Sequence, residues 1–151
     1  MELSSKQIEQ FNKDGYIIFP ELFTSDEIEI FKNEVDRVSK IRSEMVVREG
    51  EDEAVKIMFQ LHEENVETAS PPFRTAARSP RILRTAQQCL GDEELYLHHS
   101  KLNMKSAIEG SAWPWHQDFH SWHLDGIKQP DMVTVTVVLT EANPINGCMY
   151  V

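Results

Sequence analysis

The strongest constraint in this sequence is a change of hydrophobic period. Ile28, Phe31, Val35, Val38 and Ile41 recur at the spacing of one helix face, whereas Val55, Ile57, Phe59 and Leu61 alternate with Lys56, Met58 and Gln60. The first pattern is that of an amphipathic helix and the second that of a strand with one buried face. Each leaves an apolar surface that needs a partner, so the pair predicts a helix lying on a sheet. Thr24 and Glu27 have capping-box spacing at the head of the long helix. Upstream, Ser4 or Ser5 is placed to cap a short helix that presents Ile8 and Phe11 on one face and stops at Gly15, and Tyr16 to Phe19 reads as a short buried strand.

Downstream of Leu61 the punctuation is equally legible. Pro71 and Pro72 predict a loop or short turn, and Ser79 with Pro80 predicts the start of a helix that ends at Gly91. A strand is expected from Glu94 to about Lys105, then a glycine-containing loop to Pro114. From Trp115 the chain is expected to run extended, to turn between Gly126 and Pro130, and to enter the β-branched run Met132 to Thr140. Asn146 and Gly147 predict a tight turn, and Cys148 to Val151 the beginning of another strand. The expected class is mainly β with flanking helices (α+β): a double-stranded β-helix, or jelly-roll/cupin-like barrel, incomplete in this chain. A single domain over 1–151 is expected, with a helical region at 1–45 and barrel strands with an intervening helix at 53–151.

Composition narrows the function classes. A chain of 151 residues fits one domain, and its 15 Lys and Arg against 25 Asp and Glu give a net charge of -10. That charge repels phosphate backbones and anionic membrane surfaces, so neither nucleic acid nor membrane is an expected partner. The acidity falls in runs at 49–53, 63–67 and 92–94, which read as solvated loops and helix ends. Cys89 and Cys148 have no paired spacing, and no secretory leader or membrane-length apolar stretch is present, so a reducing cytoplasm is the expected location.

The chemistry-bearing segment is Trp113-Pro-Trp-His-Gln-Asp-Phe-His-Ser-Trp-His-Leu-Asp-Gly126, in which three of the six histidines and all three tryptophans fall within eleven residues. On a strand, residues two apart share a face about 6.6 Å from each other, so His116 and Asp118 can converge on one ion. An imidazole and a carboxylate suit iron. A straight strand would carry His120 about 13 Å from His116, which favours a pocket-lining or hydrogen-bonding role over metal ligation unless the strand bends. Trp115, Phe119 and Trp122 could exclude water from a reactive centre, or simply pack in a core. Two residues at this spacing are a weak signal alone. A His-Asp pair is also a common structural feature.

Four segments in order resemble the phytanoyl-CoA dioxygenase family of Fe(II)- and 2-oxoglutarate-dependent hydroxylases, in particular its ectoine hydroxylase-like branch. They are Phe11-Asn-Lys-Asp-Gly-Tyr-Ile-Ile-Phe-Pro20, Tyr96-Leu-His-His-Ser-Lys-Leu-Asn103, His116-Gln-Asp-Phe-His-Ser-Trp-His123 and Asn146-Gly-Cys-Met149. The resemblance implies that His116 and Asp118 are catalytic metal ligands, two members of a 2-His-1-carboxylate triad that leaves positions for 2-oxoglutarate and O2. It implies that Asn103 and Lys105 lie beside the cosubstrate, and that His99 and Trp122 line the substrate pocket. The branch usually has Gln where His99 stands, so His99 marks a departure on the substrate side. Similar halogenating enzymes have a small residue in place of the carboxylate, so Asp118 implies hydroxylation of a small-molecule substrate.

The resemblance also implies a distal His and a 2-oxoglutarate-binding Arg several tens of residues after the Asn-Gly turn. No His follows His123. The expectation is therefore the N-terminal portion of a longer hydroxylase, inactive by itself. Two other readings stay open from the sequence. One is a cupin-type hydrolase or isomerase in which His116, Asp118 and a bent-in His120 hold zinc or iron. The other is a half-barrel binding module that self-associates through its open sheet edge.

Overall fold

The computed structural model describes residues 1–105, 110 and 113–151. Two helices open the chain. α1 (Ser5–Asp14) and α2 (Ser25–Ser39) begin with complete capping boxes, Ser4 with Gln7 and Thr24 with Glu27, so the orphan amides of each first turn are satisfied locally. Gly15 ends α1 in the left-handed conformation that glycine adopts without strain. Arg81 then ties the start of α2 to a later helix by donating to both Glu27 oxygens and to the Leu22 carbonyl. Chiefly because of that guanidinium, the Glu27 carboxyl is lowered to about 2.

β1 (Val46–Glu49) and β2 (Ala54–Phe59) form a hairpin, and β3 (Lys101–Asn103) adds antiparallel to β2, giving a three-stranded sheet in the order β1-β2-β3. α2 lies against β2, as the change of period predicts. The core joins Val38 of α2 to Val46 and Met58 of the hairpin and to Leu61, with Val35, Ile41, Val55, Phe73, Leu102 and Met104 packed around them.

The alternation in 54–61 is real, but the face it buries differs from expectation. Met58, expected to point outward, is 0% exposed. Val47 pairs with Ile57 while Arg48 pairs with Val55, so Lys56 is the extra residue of a β-bulge. The bulge shifts the phase and brings Val55 onto the Met58 side, and a left-handed Gln60 (φ 59°) shifts it again so that Leu61 is buried.

Two further helices follow. α3 (Pro71–Ala77) replaces the loop expected at Pro71 and Pro72: Ser70 caps it by accepting from the Phe73 amide, and the prolines occupy first-turn positions where a missing N–H costs nothing. α4 (Pro80–Leu90) ends at a left-handed Gly91 as expected. Phe31 links the layers, edge-on to Phe23 and stacked on Phe73 at 5.3 Å in each case.

Several expected strands take a different form. Tyr16 to Phe19 makes no ladder, and Ile18 is 74% exposed because only the alternate residues Ile17 and Phe19 turn inward. Of the strand expected over 94–105, only Lys101–Asn103 is laddered, where β2 offers a free edge. The segments Met132 to Thr140 and Cys148 to Val151 have no ladder partner among the described residues; β-branched residues favour a pleated surface only when a neighbour provides one. The sheet is therefore a partial one, with no closed barrel among the described residues. The glycine-containing loop expected between Lys105 and Pro114 falls largely outside the described residues. The Asn146–Gly147 turn forms: Cys148 N–H donates to the Asn143 carbonyl, and Gly147 adopts φ +78°. No helix among the described residues is long and apolar enough to cross a membrane.

Candidate metal centre and substrate face

The His-rich segment is helical where an extended strand was expected. α5 (Asp118–Leu124) contains no β-branched residue, starts with an acidic side chain in its first turn, and is closed by Gly126 at φ 98°. His116 and Asp118 nevertheless converge, because Gln117 at the N-cap is extended (φ -109°, ψ 128°) and carries the chain from His116 into the helix. His116 Nε2 stands 3.3 Å from Asp118 Oδ1.

The far side of each group is tethered. His116 Nδ1 donates to the Pro114 carbonyl at 2.8 Å, since a carbonyl can only accept, and this turns Nε2 toward the carboxylate. Asp118 Oδ2 accepts from Thr134 Oγ1 at 2.9 Å, which leaves Oδ1 toward the imidazole. A ring nitrogen and a carboxylate oxygen at this distance form an ion pair when Nε2 carries a proton, and offer two donors to one cation when it does not. Donors about 2.1 Å from a shared ion and roughly 90–110° apart stand roughly 3.0–3.4 Å from each other, so the observed separation fits joint ligation. The two side chains are 49% and 35% exposed, so the pair lies open on one side.

The helix also rearranges the neighbours. At about 100° per residue, His120 lies roughly 200° around α5 from Asp118, on the opposite side. Among the described residues no three His, Cys, Asp or Glu groups come together as a metal site. Trp122, four residues after Asp118, shares its face, with Cβ atoms of such pairs roughly 5–6 Å apart. Trp122 meets the segment leading into β3: its ring lies 4.8 Å from His99 and 5.4 Å from His98. Lys101 Nζ is 5.8 Å from the Trp122 ring centre and 5.9 Å from that of Trp113, and Lys56 Nζ is 5.4 Å from Trp113. Phe59 closes the other side of His99 at 5.7 Å.

The His99 pKa is lowered from its ordinary value. Burial lowers its pKa first, and the nearby charges of Lys101, His98 and His62 lower it further. Its Nε2 is buried without a hydrogen-bond partner among the described residues. Buried polar atoms are ordinarily paired with protein, ordered water or a bound molecule, so this atom has a hydrogen bond to make with one of them. Asn103, exposed on β3, pairs in register with Ile57. Lys105 reaches across to donate its ammonium to the Gly147 carbonyl, so the Asn146–Gly147 turn sits over it; a Cβ at Gly147 would come within 3.0 Å of Lys105 Cδ.

The structure thus brings together His116 with Asp118, and His99 with Trp122. It leaves His120 exposed, and Trp115, 78% exposed, does not form the expected wall. Phe119 packs on its own helix neighbour His123. Sequence reasoning missed Thr134, the Pro114 carbonyl, His98 and Trp113. Of these only His98 and Trp113 had a signal, their place in aromatic and histidine clusters.

Comparison with known proteins gives a consistent answer. The phytanoyl-CoA dioxygenase (PhyH) family model matches residues 11–151. The ectoine dioxygenase of Bordetella bronchiseptica is 33% identical over 150 residues, covering 96% of this chain and 47% of that protein. The L-proline trans-4-hydroxylase of Streptomyces griseoviridis is 31% identical over 143 residues, covering 94% and 51%. The crystal structure of EctD from S. alaskensis with bound Fe matches with a TM-score of 0.70 at 30% identity, covering 80% of this chain and 42% of that one. The chain spans about half the length of the curated relatives it matches. With the family model matched over residues 11–151 and a relative 33% identical across 96% of the chain, this chain belongs to the phytanoyl-CoA dioxygenase (PhyH) family.

Proposed function

We propose that this chain contributes the first two metal ligands, the cosubstrate strand and part of the substrate wall of an Fe(II)- and 2-oxoglutarate-dependent hydroxylase. The observation that carries the reading is the His116 Nε2 and Asp118 Oδ1 pair, 3.3 Å apart with their outer atoms tethered. Bound Fe(II), with 2-oxoglutarate and O2, would supply the oxidising chemistry, and the protein's part is to place and shield the reactants. His116 and Asp118 hold the metal. Asn103 and Lys105 face the cosubstrate, Lys105 offering a positive charge to a dicarboxylate from its post at the Gly147 carbonyl. His99 and Trp122 contact the substrate, with His120 at the rim.

The substrate class is a small polar molecule. Two relatives are named for ectoine and L-proline, and the His99 wall combines an aromatic face with one unsatisfied polar atom, which suits a compact molecule bearing both apolar and hydrogen-bonding groups. The retained carboxylate at Asp118 favours hydroxylation. A triad needs a third protein ligand, and the described residues bring only two donors together, so the 151-residue chain by itself is proposed to be inactive.

Fe(II) binding and succinate release test this. The chain is expected to bind Fe(II) weakly, to lose that binding in Asp118→Ala, and to form only trace succinate from 2-oxoglutarate with ectoine or L-proline present. Fe(II) binding unchanged in Asp118→Ala would remove the metal centre, and robust succinate formation would overturn the proposed inactivity.

A further inference from the structure

We infer that Thr134 is a positioning residue for the metal-binding carboxylate, its hydroxyl fixing the rotation of the Asp118 carboxylate so that one oxygen is aimed at the cation. The inference rests on the hydroxylase reading above. Thr134 lies 16 residues from Asp118, beyond the turn that follows α5, yet its Oγ1 donates to Asp118 Oδ2 at 2.9 Å. Rotation of an aspartate carboxylate about its last torsion is soft, so a carboxylate in a helix's open first turn does not by itself hold one orientation. A donor fixed on one oxygen sets that torsion and leaves the other oxygen beside His116 Nε2.

The imidazole is treated in the same way. Pro114 O receives the His116 Nδ1 proton and turns Nε2 toward Asp118. Both ligands are thus held from behind by a group outside the pair, the arrangement in which an outer partner orients a metal ligand and tunes its basicity. Packing gives no competing explanation for Thr134. The residue is exposed, its run Met132 to Thr140 has no ladder partner among the described residues, and loss of its hydroxyl would open no cavity.

Outer partners of this kind typically change metal affinity by about 10–100-fold when removed; water can reach this exposed pair and partly replace the hydroxyl, which places the effect near the lower figure. The test is Fe(II) titration of the 151-residue chain in three forms, unaltered, Thr134→Val and Thr134→Ser, each with a thermal melt. Thr134→Val keeps the shape and removes the donor, and Thr134→Ser keeps the donor. The expected result is about tenfold weaker Fe(II) binding in Thr134→Val, near-normal binding in Thr134→Ser, and unchanged melting temperatures without metal. Equal affinity in Thr134→Val and the unaltered chain would overturn the inference alone. Equal losses in both variants, or a loss matched by a lowered melting temperature, would show a structural role and overturn it too. No Fe(II) binding by the unaltered chain would remove the hydroxylase reading along with it.

Discussion

In residues 1–105, Val38 and Met58 are completely screened from water, and helices and hairpin meet over a shared apolar core. In residues 113–151 no described residue is buried, and Ile145 is 97% exposed. The His116–Asp118 pair proposed to hold the metal lies in this second region. There the geometry rests on single polar links, Pro114 O to His116, Thr134 to Asp118 and Lys105 to the Gly147 carbonyl. The contrast teaches that stability and site geometry have separate sources here. Burial of apolar area holds the frame, while directional hydrogen bonds, each worth about 0.5–1.5 kcal/mol, aim the ligands.

Separate sources can be tested separately. The largest effect is expected from Met58→Ala, which empties the centre of the core and costs about 2–5 kcal/mol of unfolding free energy, read by denaturant titration. A loss below about 1 kcal/mol would mean that the frame does not depend on this core. Next is His116→Ala, expected to weaken Fe(II) binding by about a hundredfold or more, equivalent to about 2.7 kcal/mol, while unfolding free energy in the absence of metal stays within about 0.5 kcal/mol of the unaltered chain. A large fall in metal-free stability would merge the two regions and break the comparison.

The smallest effect belongs to His99, where the regions touch through Trp122. Its pKa is lower folded than unfolded, so below about 6.5 the unfolded chain takes up the proton more readily. Stability from the neutral ring is present above that pH and is lost as the pH falls through the folded pKa. His99→Gln, which cannot titrate, is expected to flatten the pH dependence of the melting temperature on the acid side of about pH 6.5. An unchanged slope would show that other groups set it.

The parts of the fold legible in the sequence were those decided by neighbours along the chain. The caps at Ser4 and Thr24, the stops at Gly15 and Gly91 and the stripe from Ile28 to Val38 all formed as expected, because a cap or a stripe is complete within a few residues. Ser70-Pro71-Pro72 held a helix-start signal that was read as a turn. The strand expectations fared worse, since a strand needs a partner and a register. The Lys56 bulge that reversed the buried face appears only when β1 is laid beside β2. In the candidate site, His116 and Asp118 come together as expected but on a helix start instead of a strand: a period of two on a strand and an extended cap leading into a helix both bring these residues together, and two residues cannot tell the alternatives apart.

His116 and Asp118 therefore return as the clearest case of the division. The sequence alone determined their identity, their spacing and the company of four ordered family segments. Tertiary structure decided which groups face each other: Nε2 rather than Nδ1, a carboxylate turned with one oxygen to the imidazole and the other to Thr134, and Trp122 rather than His120 on the shared face. The reason is physical. Residue type and local spacing are properties of the chain, but the rotation of each ring and carboxylate is set by groups such as Thr134, which only folding brings within hydrogen-bonding distance.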